Sequence, residues 1–458
     1  MKPTINFQKA TMAEKIWFSL GNMGVQLSSL FVMMYISIYY TNNVGIAAAA
    51  VGMIMMISKI TDGISDLLFA WVMEKTHFKM GKARPWLLIS APLMGLSMLL
   101  CFNIPSTLTD TGKVVYALLT YSFMQAVGIT VFWLSYNTLF PLLTQDPQDR
   151  NWIQGLSNAL ANGAGMLISL LAPMAFVAWG GITEPGCWSK VSIIIAILTT
   201  VLIAISAFVC KEKESGYYAE TAGVNEVAKK EESRRKIKLV FTSKMTWIVM
   251  IIFTLYNMNV GLSGFNSYMC IYLLGDTSMA FMGRVSMIVT VLSMIVSLMI
   301  VPPLFKKIGR TRVVMISVIL SCAGFGAMFF FGRTTVGYAI CQIVANTVIN
   351  PLNIAVYTYV ADLTDMFARK HKENVASLCA VSGSFGTKIG AGIGAALVGW
   401  ILAWVGFDAT AAQLSESVLM GILAGGSLPR VIVLFICLVF VLIFENMMKK
   451  ETQYETNN

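Results

Sequence analysis

Long apolar stretches recur along the chain at about 14–41, 46–74, 85–104, 113–140, 153–180, 189–210, 246–274, 279–304, 312–331, 336–361, 374–404 and 428–446. A helix that crosses a bilayer needs about 20 mostly apolar residues. In lipid, every backbone N–H and C=O must find its partner within the protein, so a spanning chain is a set of helices or a closed barrel. Barrel strands are short and alternate in polarity, whereas these runs are continuous. The pattern therefore predicts an all-α membrane protein with twelve transmembrane helices. The single long polar segment, 211–244, splits them six and six. The expected organisation is an N-terminal bundle at 1–210, a cytoplasmic linker at 211–244 and a C-terminal bundle at 245–458.

Composition agrees. Hydrophobic types make up 57% of the 458 residues and charged types 12%, against roughly 25% charged residues in soluble domains. So few charges cannot build an aqueous surface. The net charge of +10 raises nucleic acid as a partner, but its distribution argues against that. Lys75, Lys79, Lys82 and Arg84 follow the second run. The linker carries basic residues that include Arg234, Arg235 and Lys236. Lys306, Lys307, Arg310 and Arg312 precede the ninth run, and Arg369, Lys370 and Lys372 follow the tenth. The alternate loops hold only Lys113, Lys190 and Arg333. This is the positive-inside bias. It predicts a multi-pass protein of the plasma membrane with both termini cytoplasmic and no nucleic-acid partner. The first apolar run is too long for a cleavable signal. Seven of the eight cysteines lie in apolar runs and Cys187 in a loop, with no C-x-x-C pair. Small buried hydrophobes are expected rather than a disulfide framework or metal site.

The turn Lys79-Met80-Gly81-Lys82-Ala83-Arg84 is echoed by Lys307-Ile308-Gly309-Arg310-Thr311-Arg312. Each follows the second run of its half, on the same side. Parallel six-helix repeats, the arrangement of the major facilitator superfamily, explain the echo.

Ionisable side chains at membrane depth cost roughly 2.5–3.5 kcal/mol each on insertion scales. Lys59, Asp62 and Asp66 stand at i, i+3 and i+7 on the second run and share one helix face. Two carboxylates and one ammonium leave one negative charge in excess, which a bound Na⁺, Li⁺ or H⁺ cancels. The corresponding positions of the eighth run, Met287, Thr290 and Met294, carry no charge. Lys388 on the eleventh run is a second candidate, either paired with an aspartate or snorkelling to the interface. Asp362 and Asp365, at the cytoplasmic end of the tenth, read as gating salt bridges or as solvated ends. Arg284 and Arg430 read as interfacial anchors near the outer ends of their runs. The two histidines, His77 and His371, fall in loops. No Ser/His/Asp set, phosphate loop or metal cluster is visible, so neither an enzyme nor a cofactor is expected.

Uncharged polar residues recur at helical spacing: Asn22, Gln26 and Ser29; Gln154, Asn158 and Asn162; Asn259, Ser263 and Asn266; Asn346, Asn350, Asn353 and Tyr357. The fourth run adds Gln125, Thr130, Trp133, Tyr136 and Asn137. Such stripes either line a polar cavity, whose amides suit a polyhydroxylated solute, or glue helices together.

The run Lys59-Ile60-Thr61-Asp62-Gly63-Ile64-Ser65-Asp66, the following Gly81-Lys82-Ala83-Arg84-Pro85-Trp86, and Asp362-Leu363-Thr364-Asp365 with Lys388 resemble the glycoside–pentoside–hexuronide:cation symporter family, over the whole chain. The resemblance implies Na⁺-, Li⁺- or H⁺-coupled import of a sugar or glycoside by one chain. It assigns Asp62 and Asp66 to the cation, with help from Thr130 and with Lys388 nearby. The family's two sugar-binding aspartates align with Gln26 and Trp133, and its fifth-span arginine with Asn158. The cation half is retained and the solute half rewritten. Candidate solute contacts are Asn22, Gln26, Trp133, Asn137, Asn158, Asn162, Asn259, Asn266, Asn350 and Tyr357. The competing expectation is an amphiphilic solute, steroid-like or a lysolipid, on the same scaffold.

Overall fold

The computed structural model describes residues 9–76, 78–144, 146–212, 235–371, 375–409, 411 and 413–456. Most of the linker lies outside them, as do Arg234, His77 and Lys372. The described residues contain helices and no strand.

Six spans precede the linker. They are α1 (Met12–Ile38, continued by a π-turn at Tyr39–Asn43), α2 (Ala48–Lys75), α3 (Arg84–Cys101), α4 (Asp110–Phe123, a π-turn at Met124–Ile129, then Thr130–Leu143), α5 (Pro147–Ala178) and α6 (Pro185–Val209). Six follow. They are α7 (Lys244–Gly261, a 3₁₀ turn at Leu262–Gly264, Phe265–Tyr268 and a π-turn at Met269–Leu273), α8 (Ala280–Ile295, a π-turn at Val296–Ile300, then Val301–Ile308), α9 (Arg310–Phe331), α10 (Thr335–Val348 and Asn350–His371), α11 (Ala376–Trp404) and α12 (Glu416–Thr456). Eleven helices among the described residues are individually long and apolar enough to cross a membrane, and Ala280–Ile295 is a shorter apolar helix. Its continuation through Ile308 completes the twelfth span.

Several boundaries differ from the sequence reading. Helix α12 begins at Glu416 and runs through Pro429, whereas the twelfth apolar run starts at about 428. Helical hydrogen bonding is the only economical way to satisfy a backbone in lipid, so a proline is carried inside a span. Cys187 lies in the first turn of α6 and is buried, not in a loop. The eight cysteines are free thiols, seven buried and Cys322 half-buried.

Local chemistry sets the ends. Thr11 and Glu14 form a capping box at the start of α1: the Glu14 amide donates to Thr11 Oγ1 (3.3 Å) and the Thr11 amide to Glu14 Oε2 (2.8 Å). Just inside α5, before its membrane-crossing part, burial alone would push the Asp149 carboxyl upward. The Lys15 ammonium, the Ala10 amide and nearby Lys9 outweigh that and hold it below the usual carboxylate range. The echoed turns share a backbone feature. Gly81 has φ +114° and Gly309 φ +91°, left-handed values that glycine adopts without steric cost. In the first turn, the amides of Lys82, Ala83 and Arg84 all donate to the Glu212 carboxylate (2.9, 2.7 and 2.9 Å). The Arg84 guanidinium donates to the last carbonyls of α6, those of Ala207 and Phe208.

The chain divides into two compact units. The first contains α1–α6 with Asp276–Met287, and the second contains α7, the remainder of α8 and α9–α12. Within the second, α11 lies against α7 along Gly386, Gly390 and Gly394. A Cβ at Gly390 would collide with the Thr254 carbonyl oxygen, and one at Gly394 with that of Met258. Lipid supplies no hydrophobic drive for helices to associate, so small residues allow the close backbone approach that holds them. Gly390→Val is expected to destabilise the protein by about 1–3 kcal/mol, as overpacking does, and to lower its melting temperature in detergent. A variant that melts with the parent would show that this contact tolerates a side chain.

Candidate cation and solute site

Asp62, Ser65 and Asp66 occupy one face of α2, and α4 lies against it. The link is Thr130. Its hydroxyl is 3.1 Å from Asp62 Oδ1, 3.1 Å from Asp66 Oδ1 and 3.1 Å from Ser65 Oγ. Lys59 Nζ stands 4.0 Å from Asp62 Oδ2 and donates to Gln125 Oε1 at 2.7 Å. Asp62 is buried at 4% exposure, deep enough that an uncompensated charge is expensive.

A π-turn builds this arrangement. In Met124–Ile129 the helix closes i→i+5 rings, and Thr130 follows at once. The register shift brings Gln125 and Thr130, five residues apart, onto one face, and Thr130 Oγ1 reaches back to the Gln125 carbonyl (3.4 Å). Such bulges occur often at functional sites. Ser58 and Ser122 extend the α2–α4 contact with a 2.8 Å hydroxyl pair.

The cluster can do one thing chemically. A threonine hydroxyl carries a single proton and serves only one carboxylate at a time. Around Thr130 Oγ1 stand four oxygens, two of them anionic, a donor set suited to a hard monovalent cation or a shared proton. Ser65 was not among the sequence candidates. Its signal was present, three residues after Asp62 and one before Asp66.

The other candidates separate into groups. In the first unit, Asn22 is buried and donates to the Ser157 carbonyl on α5 (3.3 Å). Gln26 and Trp133 are half-buried. The Trp133 ring stands edge-on to Tyr136 at 5.9 Å, and Tyr136 stacks on Phe18 at 4.0 Å. Asn137, Asn158 and Asn162 are exposed. In the second unit, Asn259 is buried with Oδ1 lacking a partner among the described residues. Tyr357 is exposed, edge-on to Phe253 at 5.6 Å. Asn350 is buried between the Thr347 carbonyl and the Ser297 hydroxyl, in a helix-to-helix contact. Lys388 is half-buried on α11.

Asp362 pairs with Arg310 at 2.6 Å, and Arg310 also pairs with Glu445 at 2.9 Å and lies over the Tyr359 ring. Asp365 is exposed. Arg430 departs from the sequence reading: it is fully buried, at 1% exposure, rather than an interfacial anchor. A single sequence places a residue along a span but does not reveal which neighbours close over it.

Twelve spans in two six-helix halves, with carboxylates and amides inside the membrane, define a carrier of the major facilitator type. A family profile described as MFS/sugar transport protein matches residues 17–447, and the chain belongs to that family. It is 26% identical to the isoprimeverose transporter of Lactiplantibacillus pentosus, over 88% of this chain and 83% of that protein. It is 25% identical to the protein named "Putative glycoside/cation symporter YagG" of Escherichia coli (strain K12), over 89% of this chain and 86% of that protein. It is 23% identical to the glucuronide carrier protein homolog of the same organism, over 94% and 91%. Among solved structures, a bacterial homolog of the human lysosomal transporter Spinster matches with a TM-score of 0.68 at 12% identity (96% of this chain, 97% of that one). The nucleoside transporter NupG matches with 0.62 at 14% identity (96% and 100%). These structural likenesses concern the fold alone.

Proposed function

We propose that the protein is a secondary symporter that imports a sugar or glycoside together with Na⁺, Li⁺ or H⁺ across the plasma membrane. The observation that carries this reading is the pair of carboxylates, Asp62 and Asp66, held at equal distance from one hydroxyl with one ammonium beside them. The relatives' names favour a glycoside over an amphiphile. Both termini are cytoplasmic in this reading, and one chain suffices.

With no cation bound, the Asp62 and Asp66 carboxylates repel each other across Thr130. A cation entering among Asp62, Asp66, Thr130 and Ser65 relieves that repulsion and fixes the α2–α4 contact. The solute then binds to a better-ordered wall. By linkage it raises cation affinity by the same factor. Loading both allows the six-helix halves to alternate access, with Lys388, Asp362 and Asp365 as coupling and gating groups. An inside-negative potential contributes about 2.3 kcal/mol per inward charge per 100 mV.

The test is ion movement in proteoliposomes on addition of the methyl glycosides of xylose, glucose, galactose and glucuronic acid, followed by ²²Na uptake and by a pH electrode. Inward ion flux stimulated by one of them is the expected result, and it names the ion. Flux with none of them, alongside binding of a lysolipid, would return the reading to an amphiphile carrier.

A further inference from the structure

The second unit buries a full positive charge that the cation site does not use. Arg430 belongs to none of the ion pairs among the described residues. Its guanidinium lies over the Phe325 ring and donates through one Nη to the Leu262 carbonyl (3.0 Å) and to Asn266 Oδ1 (3.1 Å). Holding a charge at that depth costs several kcal/mol. A neutral amide could have bridged α7 and α12 for less.

What arginine supplies that an amide does not is direction. A guanidinium only donates, so Asn266 must turn its oxygen to Arg430, whichever way its amide would otherwise lie. Gln342 Nε2 donates to the same oxygen at 2.7 Å. Gln342 Oε1 is thereby left to accept from Asn346 Nδ2 (2.6 Å). Every amide in the row is oriented from one end. Asn266 Nδ2 is left over. It has no hydrogen-bond partner among the described residues, and the side chain is half-buried rather than sealed. It sits just past the 3₁₀ break of α7 at Leu262–Gly264, a discontinuity of the sort from which carriers build solute sites.

We infer that Arg430 is a positioning residue that locks the Asn266 amide as a hydrogen-bond donor toward an acceptor oxygen of the transported glycoside. The inference rests on the symporter reading and adds a specificity rule to it: at one ring position the solute must offer an acceptor.

Asn266→Asp tests the rule without dismantling the row. The carboxylate still accepts from Gln342 and gains an ion pair with Arg430, but it offers no donor. Arg430→Gln releases the orientation, since the new amide can meet either end of Asn266. Uptake of methyl xyloside, glucoside, galactoside and glucuronoside is compared with that of their monodeoxy analogues, alongside melting temperature and cation binding without solute. In the parent, removing the hydroxyl at one ring position is expected to weaken half-saturation by about tenfold, the worth of one buried hydrogen bond. In Asn266→Asp the parent glycoside falls to the level of that analogue, while melting and cation binding are retained. In Arg430→Gln the preference is also erased. If both variants keep the parent's preference at every ring position, the inference is overturned while the symporter reading stands. If the parent transports none of the four glycosides, the symporter reading falls and takes the inference with it.

Discussion

Asp62→Asn is expected to fold, to bind solute weakly and to lose cation-driven accumulation entirely. The substitution keeps the shape and removes one negative charge, so the repulsion across Thr130 disappears and with it the reason for a cation to enter. Coupling between two ligands in such systems is worth about 1–3 kcal/mol, or about 5–150-fold in affinity. That whole factor is expected to vanish when solute affinity is measured with and without Na⁺ or across a pH series. Asp66→Asn should act in the same direction. Thr130→Ala provides the contrast. It removes a neutral ligand worth about 1 kcal/mol, so cation affinity should fall several-fold while coupling persists. Full cation-dependent accumulation by Asp62→Asn would sink the assignment of the cation to α2.

The second large effect is expected at Arg310. One guanidinium serves Asp362 on α10 and Glu445 on α12, donates to Thr358 Oγ1 at 3.3 Å and covers Tyr359. Arg310→Gln leaves two carboxylates near each other with no cation between them. Breaking a buried ion pair costs about 3–5 kcal/mol. The Arg310 side chain is 26% exposed, so solvent screening reduces the expectation to about 2–3 kcal/mol. That should appear as a fall in melting temperature on the order of 5 °C. Neutralising the partners as well, with Asp362→Asn and Glu445→Gln, should recover most of the loss, because the cost comes from stranded charge and not from the missing bonds. Equal melting of Arg310→Gln and the parent would show that the cluster is too well hydrated to matter. If Asp362 also gates transport, Asp362→Asn alone should slow uptake more than it lowers stability.

Much of the molecule was legible beforehand. The twelve spans followed from apolar length, and the echoed turns announced the repeat, down to the two glycines that the structure holds at positive φ. The second-span charges were readable because Lys59, Asp62 and Asp66 are neighbours on one helix, where spacing alone decides which face they share. Ser65 was within reach of the same logic. The polar stripes were less legible. Asn22 and Asn350 serve helix-to-helix contacts, while Asn158 and Asn162 are open, and nothing in the spacing of asparagines along a helix distinguishes those fates. Arg430 was misread because its position near a span end suggested an anchor, whereas α7 and α9 supply the carbonyl and ring that enclose it.

The chain by itself therefore determined what is local or collective: helices rather than strands, the span count, the excess basic charge of alternate loops, and the charged face of α2. These follow from backbone hydrogen bonding in lipid and from a fixed helical period, which need no knowledge of the partners. The tertiary structure decided the rest. A π-turn in α4 changed the period where Thr130 had to meet two carboxylates 64 and 68 residues away in sequence. A buried arginine chose the direction of an amide 164 residues distant. Both depend on which helix surfaces meet and in what register, and no spacing rule along one segment contains that information.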